Sequence, residues 1–249
     1  MLAAVRWLVL GIFIVLVGVI GCLFCILRPF HRNNTYRWAH IFGSATRILG
    51  LKLRVKVHPD VPKNGPYVYI CNHQNSWEIF TIAAALPPNT VTLGKKSLKW
   101  IPFFGWLYWL AGNILIDRNN KGRAHGTIAQ TAAAIKKRDI SVWMFPEGTR
   151  SNGRGLLPFK NGAFHTAYQA GVDVVPVCVS NLHGKIDINR WDNGDLLVEF
   201  LQPLPIANYR KETLRELSKH SHQLMAEKIA ALDAQLEGEQ PEHKQKEDS

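Results

Sequence analysis

Cysteine is scarce in this 249-residue chain, acidic side chains are outnumbered, and no nucleotide or metal signature is present. Each shortage removes a class of protein. Four cysteines, Cys22, Cys25, Cys71 and Cys178, are too few for a disulfide-stapled secreted scaffold, and Cys71 and Cys178 sit in apolar runs of core-strand type. They read as reduced, small hydrophobes in a cytosolic environment. The glycine-rich stretch Gly153 to Gly162 lacks Walker and dinucleotide spacings, leaving a loop over a site or a plain long turn, with no nucleotide assigned. No second His or Cys stands at ligand spacing from His73, so no metal is expected. There is no internal repeat, and no linker divides the part after residue 50. Against 30 Lys and Arg there are only 19 Asp and Glu, and the net charge of +11 favours anionic partners: nucleic acid, anionic lipid or a phosphorylated substrate.

What the chain does have in quantity is apolar sequence at its start. Between Arg6 and Arg28 the run Trp7 to Leu27 carries no charge, and about 20 residues suffice for a helix to cross the hydrocarbon core. It is long for a signal-peptide core, and Leu27-Arg28-Pro29-Phe30 offers no small-residue cleavage site. Tyr36 to Gly50 follows with Trp38, Ile41, Phe42, Ala45, Ile48 and Leu49 on one helical face and Arg37, His40, Ser44 and Arg47 on the other, the pattern of a basic helix in a membrane interface. Residues 1–50 thus form two membrane-anchoring helices, either a span plus a surface helix or a hairpin dipped into one leaflet. Arg28, Arg32, Arg37, Arg47, Lys52, Arg54 and Lys56 follow the apolar run and Arg6 alone precedes it, which places the rest on the cytoplasmic side.

At Leu51 the period changes to two, with Leu51, Leu53, Val55 and Val57 alternating with Lys52, Arg54 and Lys56, so a half-buried strand opens the globular part. Further strand-like runs lie at Tyr67 to Cys71, Val91 to Leu93, Asn113 to Ile116, Ser141 to Phe145, Val174 to Val179 and Leu196 to Phe200. Ile79 to Ala85, Ala124 to Lys137 and Ala163 to Ala170 read as helical. Strands alternating with helices predict an α/β domain over residues 51–236 with a mostly parallel sheet flanked by helices. Gly171 suits a helix C-cap, and Pro176 inside a strand predicts an edge or a bulge. A long amphipathic helix closes the domain between Arg210 and Leu236, and the polar tail 237–249 is expected to be disordered.

Chemistry concentrates where strands end. Asn72-His73-Gln74-Asn75-Ser76-Trp77-Glu78 follows a strand, and ligands of open α/β sheets bind at the carboxyl ends of strands. Five residues separate His73 from Glu78. A carboxylate at that reach can fix one imidazole nitrogen so that the other takes a proton from a hydroxyl, although a cap at Asn72 or Ser76 beside an idle histidine fits the same letters. Gly94 to Trp109 sets three lysines before a dense aromatic patch, suited to a membrane interface or an acyl-chain groove, with nucleic-acid stacking as the rival. Arg118 and Arg150 each end a strand, and two guanidinium forks suit a phosphate.

In this order the four stretches resemble the bacterial 1-acyl-sn-glycerol-3-phosphate acyltransferases, the lysophosphatidate acyltransferases of phospholipid synthesis, over nearly the whole chain. His73 to Glu78 matches the family's His-x4-Asp block with Glu for Asp, and Gly94 to Arg118 matches its lysine-rich apolar block. Phe145 to Ser151 reproduces Phe-Pro-Glu-Gly-Thr-Arg-Ser letter for letter, and Val175-Pro176-Val177 matches the last block. The resemblance implies a glycerol-phosphate-acyltransferase-like α/β fold at the inner membrane of a bacterium. It also implies transfer of a fatty acyl group from acyl carrier protein or acyl-CoA to the sn-2 hydroxyl of lysophosphatidate, with no cofactor beyond that donor. Its partners are then the phospholipid bilayer, lysophosphatidate and the thioester, and not nucleic acid. His73 would be the base and Glu78 its orienting partner; Arg118 and Arg150 would hold the glycerol phosphate in a pocket that Glu147, Gly148 and Thr149 complete, and Lys96 would assist phosphate or donor. The extra methylene of Glu78 requires it to fold back or the turn to differ. Glycerol-3-phosphate or another lysophospholipid as acceptor, and a non-catalytic membrane-anchored binder of anionic lipid, are the alternatives.

Overall fold

A computed structural model describes residues 1–61, 65–116 and 124–239. Seven strands, β1 (Leu51–Val57), β2 (Val68–Cys71), β3 (Thr90–Lys95), β4 (Ile114–Ile116), β5 (Ser141–Met144), β6 (Val174–Val179) and β7 (Gly194–Phe200), form one sheet in the order β1-β7-β6-β2-β5-β3-β4. Every neighbouring pair is parallel except β6 with β7. The helices are α1 (Leu2–Leu27), α2 (Asn34–Gly43), α3 (Phe104–Leu110), α4 (Ala124–Arg138), α5 (Gly162–Ala170) and α6 (Leu214–Glu239).

Because strand side chains alternate between faces, β2 sends Val68 and Ile70 to one side and Tyr69 and Cys71 to the other, all buried. The first side packs with Val142, Val174 and Cys178 under α4, α5 and α6. The second joins Trp143, Val175, Val177 and Leu196 beneath Ile82, Ala85 and Leu86. A sheet covered on both faces has strands that are apolar throughout, which is why the sequence runs without polar alternation at β2 and β6.

Gly171 caps α5 in the left-handed conformation at φ 70°, its N–H donating to the Ala167 carbonyl at 2.8 Å. Pro176 is not at an edge, since β6 lies between β7 and β2; the other reading, a bulge, accounts for it. Leu201 N–H donates to the Pro176 carbonyl at 2.9 Å, and the next antiparallel contact pairs Val174 with Leu204. Three steps along β6, from Val177 to Val174, therefore oppose four on the other chain, from Phe200 to Leu204. The missing proline N–H falls where the ladder is already interrupted. Ile79 to Ala85 forms no α-helix: Ile79 ends the 3-10 turn Ser76–Ile79, and Ile82–Ala85 is a second 3-10 turn. Residues 237–239 continue α6, and the rest of the polar tail lies outside the described residues.

Among the described residues α1 alone is long and apolar enough to cross a membrane. One side of it, Arg6, Leu10, Val17, Gly18, Gly21 and Cys25, is buried. The opposite side leaves Leu8, Ile12, Leu16, Ile20 and Leu23 more than half exposed. At Gly18 Phe103 comes so close that an added Cβ would lie 2.7 Å from Phe103 Cβ and 3.3 Å from its backbone carbonyl carbon, so glycine there lets α1 lie against the start of α3. Leu10, Val17, Phe42, Leu49, Phe80 and Leu107 share a third core that joins α1 and α2 to the α/β domain. Both ends of α1 are tied to that domain: Ala3 N–H donates to Asn189 Oδ1 at 3.1 Å, and beyond the other end Phe30 N–H donates to the Leu110 carbonyl at 2.9 Å. The helix lies along the domain for its whole length.

Candidate active site

The turn after β2 is held by the side chains that the strand's alternation sends inward. Asn72 acts as an extra strand residue: its Nδ2 donates to the Val179 carbonyl at 2.9 Å, and its Oδ1 accepts from Val179 N–H at 2.9 Å. Gln74 repeats the device two residues on, accepting from Leu182 N–H at 2.7 Å and donating to the Ser180 carbonyl at 2.8 Å. His73, between them, points the other way. Its imidazole lies flat on Phe145, ring centroids 4.0 Å apart at 16°, and lines a cavity of about 890 Å³.

Glu78 reaches His73 despite its extra methylene. One carboxylate oxygen meets Nδ1 of the ring and the other accepts the N–H of Gln74, so the side chain folds back over its own turn and is almost wholly buried. The cap belongs to Asn75, whose Oδ1 accepts from Trp77 N–H at 2.9 Å, and the His73 ring is bonded to Glu78. With Nδ1 donating to the carboxylate, Nε2 carries the free lone pair; among the described residues it has no hydrogen bond.

The turn 145–152 closes against the first. Ser151 N–H donates to the His73 carbonyl at 2.8 Å and Asn152 N–H to that of Gln74 at 2.9 Å. Glu147 is 3 % exposed and spends both oxygens on backbone, accepting from His73 N–H at 2.6 Å and Leu157 N–H at 3.0 Å. Burial pushes its carboxyl above the usual range, against the pull of those two donors. Glu147 therefore shapes the site by bracing the histidine turn, and an anionic ligand finds no attraction there. Gly148 adopts φ +71°, where a Cβ would also lie 2.7 Å from Lys160 Nζ. Gly148→Ala is expected to cost roughly 1–2 kcal/mol of stability from the left-handed backbone, and to disturb Lys160; thermal unfolding beside an activity assay measures both.

Thr149 and Arg150 are exposed and line the cavity mouth, where an Arg150 guanidinium N–H donates to Ser76 Oγ at 2.7 Å. Arg118, the other expected phosphate ligand, lies outside the described residues. Lys96 faces a separate groove with Lys99, Trp100 and Trp106, whereas Lys95 lines the His73 cavity. Lys95 is the last residue of β3 and Lys96 the first of the following 3-10 turn, so one step of chain sends them to different surfaces. Deeper in, Phe42, Phe80, Leu98, Leu107 and Trp38 make the wall apolar, with room for an alkyl chain. Burial drives the Cys71 thiol well above its usual range, which leaves no thiolate for attack.

Against known proteins, the family model described as acyltransferase matches residues 52–180, the stretch that carries both turns. The chain belongs to the acyltransferase family. This acyltransferase is 50 % identical to the 1-acyl-sn-glycerol-3-phosphate acyltransferase of Salmonella typhimurium over 236 residues, 95 % of this chain and 96 % of that one. It is 49 % identical to the Escherichia coli protein of the same name, over 95 % and 96 % of the two chains. The crystal structure of the 1-acyl-sn-glycerophosphate (LPA) acyltransferase PlsC from Thermotoga maritima shares the fold, with a TM-score of 0.76 over 94 % of this chain and 95 % of that one at 22 % identity.

Proposed function

We propose that this acyltransferase moves a fatty acyl group from a thioester, carried by acyl carrier protein or CoA, to the sn-2 hydroxyl of lysophosphatidate, forming phosphatidate. The observation that carries this reading is the His73–Glu78 pair at the mouth of an apolar cavity, in a chain half identical to relatives of that name. His73 Nε2 accepts the proton of the sn-2 hydroxyl as its oxygen attacks the thioester carbonyl. The C–O bond forms, the C–S bond breaks, and the proton passes from Nε2 to the departing thiolate. Glu78 holds the ring in the tautomer this requires and stabilises the imidazolium between the two transfers. A thioester is already activated, and with the Cys71 thiol neutral the transfer runs directly, without an acyl-enzyme.

Arg150 at the rim, with Arg118, holds the phosphate, and Lys95 rather than Lys96 is the lysine facing the same cavity. Arg150→Ala is expected to raise KM for lysophosphatidate roughly tenfold or more, the scale of losing a charge-assisted hydrogen bond, with a smaller change for the acyl donor. Initial rates with each substrate varied in turn test this, and equal effects on both would count against a phosphate role. A panel containing glycerol-3-phosphate and neutral lysophospholipids tests acceptor choice.

Membrane association follows from the exposed apolar face of α1. With both ends held by the α/β domain, we place α1 along the bilayer surface, its outward face among the acyl chains. The net charge of +11 favours the anionic cytoplasmic leaflet.

A further inference from the structure

Arg6 is the one charged residue of α1 and is only 4 % exposed. No carboxylate meets it among the described residues. Its guanidinium donates instead to three backbone carbonyls of the loop between β6 and β7: Ile188 at 3.0 Å, Arg190 at 2.5 Å and Trp191 at 3.2 Å. It also lies 5.7 Å from the centroid of the Trp191 ring. From the other side, Asn193 locks the same loop to the chain that follows α2, donating from Nδ2 to the Leu49 carbonyl and from N–H to that of Gly50, both at 2.7 Å. Sequestering a guanidinium from water is costly unless its donors are satisfied, and here they are spent on fixing one loop to one end of a helix.

The result of that fixing is Trp191, 78 % exposed, held beside the start of α1, where Trp7 is 57 % exposed. An indole gains little in bulk water and much at a bilayer interface, where its ring is buried and its N–H stays hydrated. The far end of α1 is bordered in the same way, with Trp109 half exposed and in edge contact with Phe30. Indoles thus bracket a helix about 39 Å long by its 26 residues. The near end is also the catalytic end: Trp7 lies 5.7 Å from Trp77, which stands between His73 and Glu78 in the chain.

We propose that the Trp191 loop, pinned by Arg6, is a second membrane contact separate from α1, which inserts at the glycerol-backbone level of a phospholipid bilayer and holds the His73 cavity mouth against it. The inference rests on the reading of α1 as a helix lying in the bilayer surface. The loop sets Lys185 and Arg190 against Asp187 and Asp192, so it has no net charge to draw an acidic carrier protein, whereas an exposed indole suits a bilayer interface.

The test uses the full-length enzyme and vesicles of phosphatidylglycerol and phosphatidylethanolamine, with and without bromine near the acyl carbonyl. Trp191 is one of eight tryptophans, so Trp191→Phe is expected to remove a distinct bromine-quenched component of the emission. Trp191→Lys, at an exposed position, is expected to lower vesicle partitioning about three- to tenfold, as for loss of a partly inserted indole. Its kcat/KM should fall in parallel for long-chain lysophosphatidate in vesicles and stay unchanged for a short-chain, water-dispersed acceptor. Wild-type protein that binds vesicles while Trp191→Phe leaves the quenching unaltered, or Trp191→Lys leaves partitioning unaltered, overturns this proposal alone. Wild-type protein that fails to bind overturns the reading of α1 and this proposal with it.

Discussion

His73→Ala is expected to lower kcat/KM for acyl transfer roughly 10²–10⁴-fold, the usual contribution of a positioned general base, while vesicle binding stays at the wild-type level. Binding is insulated from the change because the exposed face of α1 and the exposed tryptophans lie outside the dyad. The fold should survive as well. The His73 side chain stacks on Phe145 and bonds Glu78, but the turn is held by its backbone, through Glu147 and Ser151, and by the side chains of Asn72 and Gln74. What alanine leaves behind is a buried Glu78 carboxylate with one donor instead of two. That costs on the order of 1–3 kcal/mol, so a lowered unfolding temperature with the protein still folded at assay temperature is part of the expected result. Residual activity near wild type would remove His73 from the chemistry.

Glu78→Gln should come close to the histidine variant in activity, falling roughly 10²–10³-fold by the same acid–base scale. The site asks residue 78 for two acceptors, one facing Nδ1–H of His73 and one facing Gln74 N–H. A carboxylate supplies both, whereas an amide supplies one acceptor and turns two hydrogens on a donor. Either the imidazole loses its orienting partner or the turn loses its brace, and the imidazolium loses its counter-charge in both cases. Glu78→Asp keeps two acceptors and differs by one methylene, so it should retain activity within about tenfold, as a purely geometric change of this kind leaves the charge in place. Steady-state kinetics of both variants separates the electrostatic requirement from side-chain length: equal losses would mean that reach, not charge, is what Glu78 provides.

The sheet was legible because its strands are short apolar runs ended by polar turns, and His73 was legible because no core strand needs it. Long-range pairings were not. Asn72 and Gln74 read as members of a polar cluster, yet their partners are Val179, the last residue of β6, and Ser180 and Leu182 just after it, more than a hundred residues away. The helix α3 is hidden in an aromatic stretch whose Pro102 and Gly105 argue locally for a turn, and what makes it helical is burial of Leu107 against α1. Choosing between Lys95 and Lys96 depended on where β3 stops, a boundary that composition does not mark. Arg6 carried the least sequence signal, since a charge flanking an apolar run ordinarily sits in the interface, and only the loop at 188–191 turns it into a buried pin.

Direct transfer from thioester to hydroxyl, with no acyl group resting on the protein, is most directly tested with purified enzyme and a thioester labelled in its acyl chain, mixed with and without lysophosphatidate. Label should then appear in phosphatidate, at the sn-2 position, only when the acceptor is present, and free thiol should be released in equal amount. Thiol released without acceptor, with label bound to the protein at Cys71 or Ser76, would contradict it.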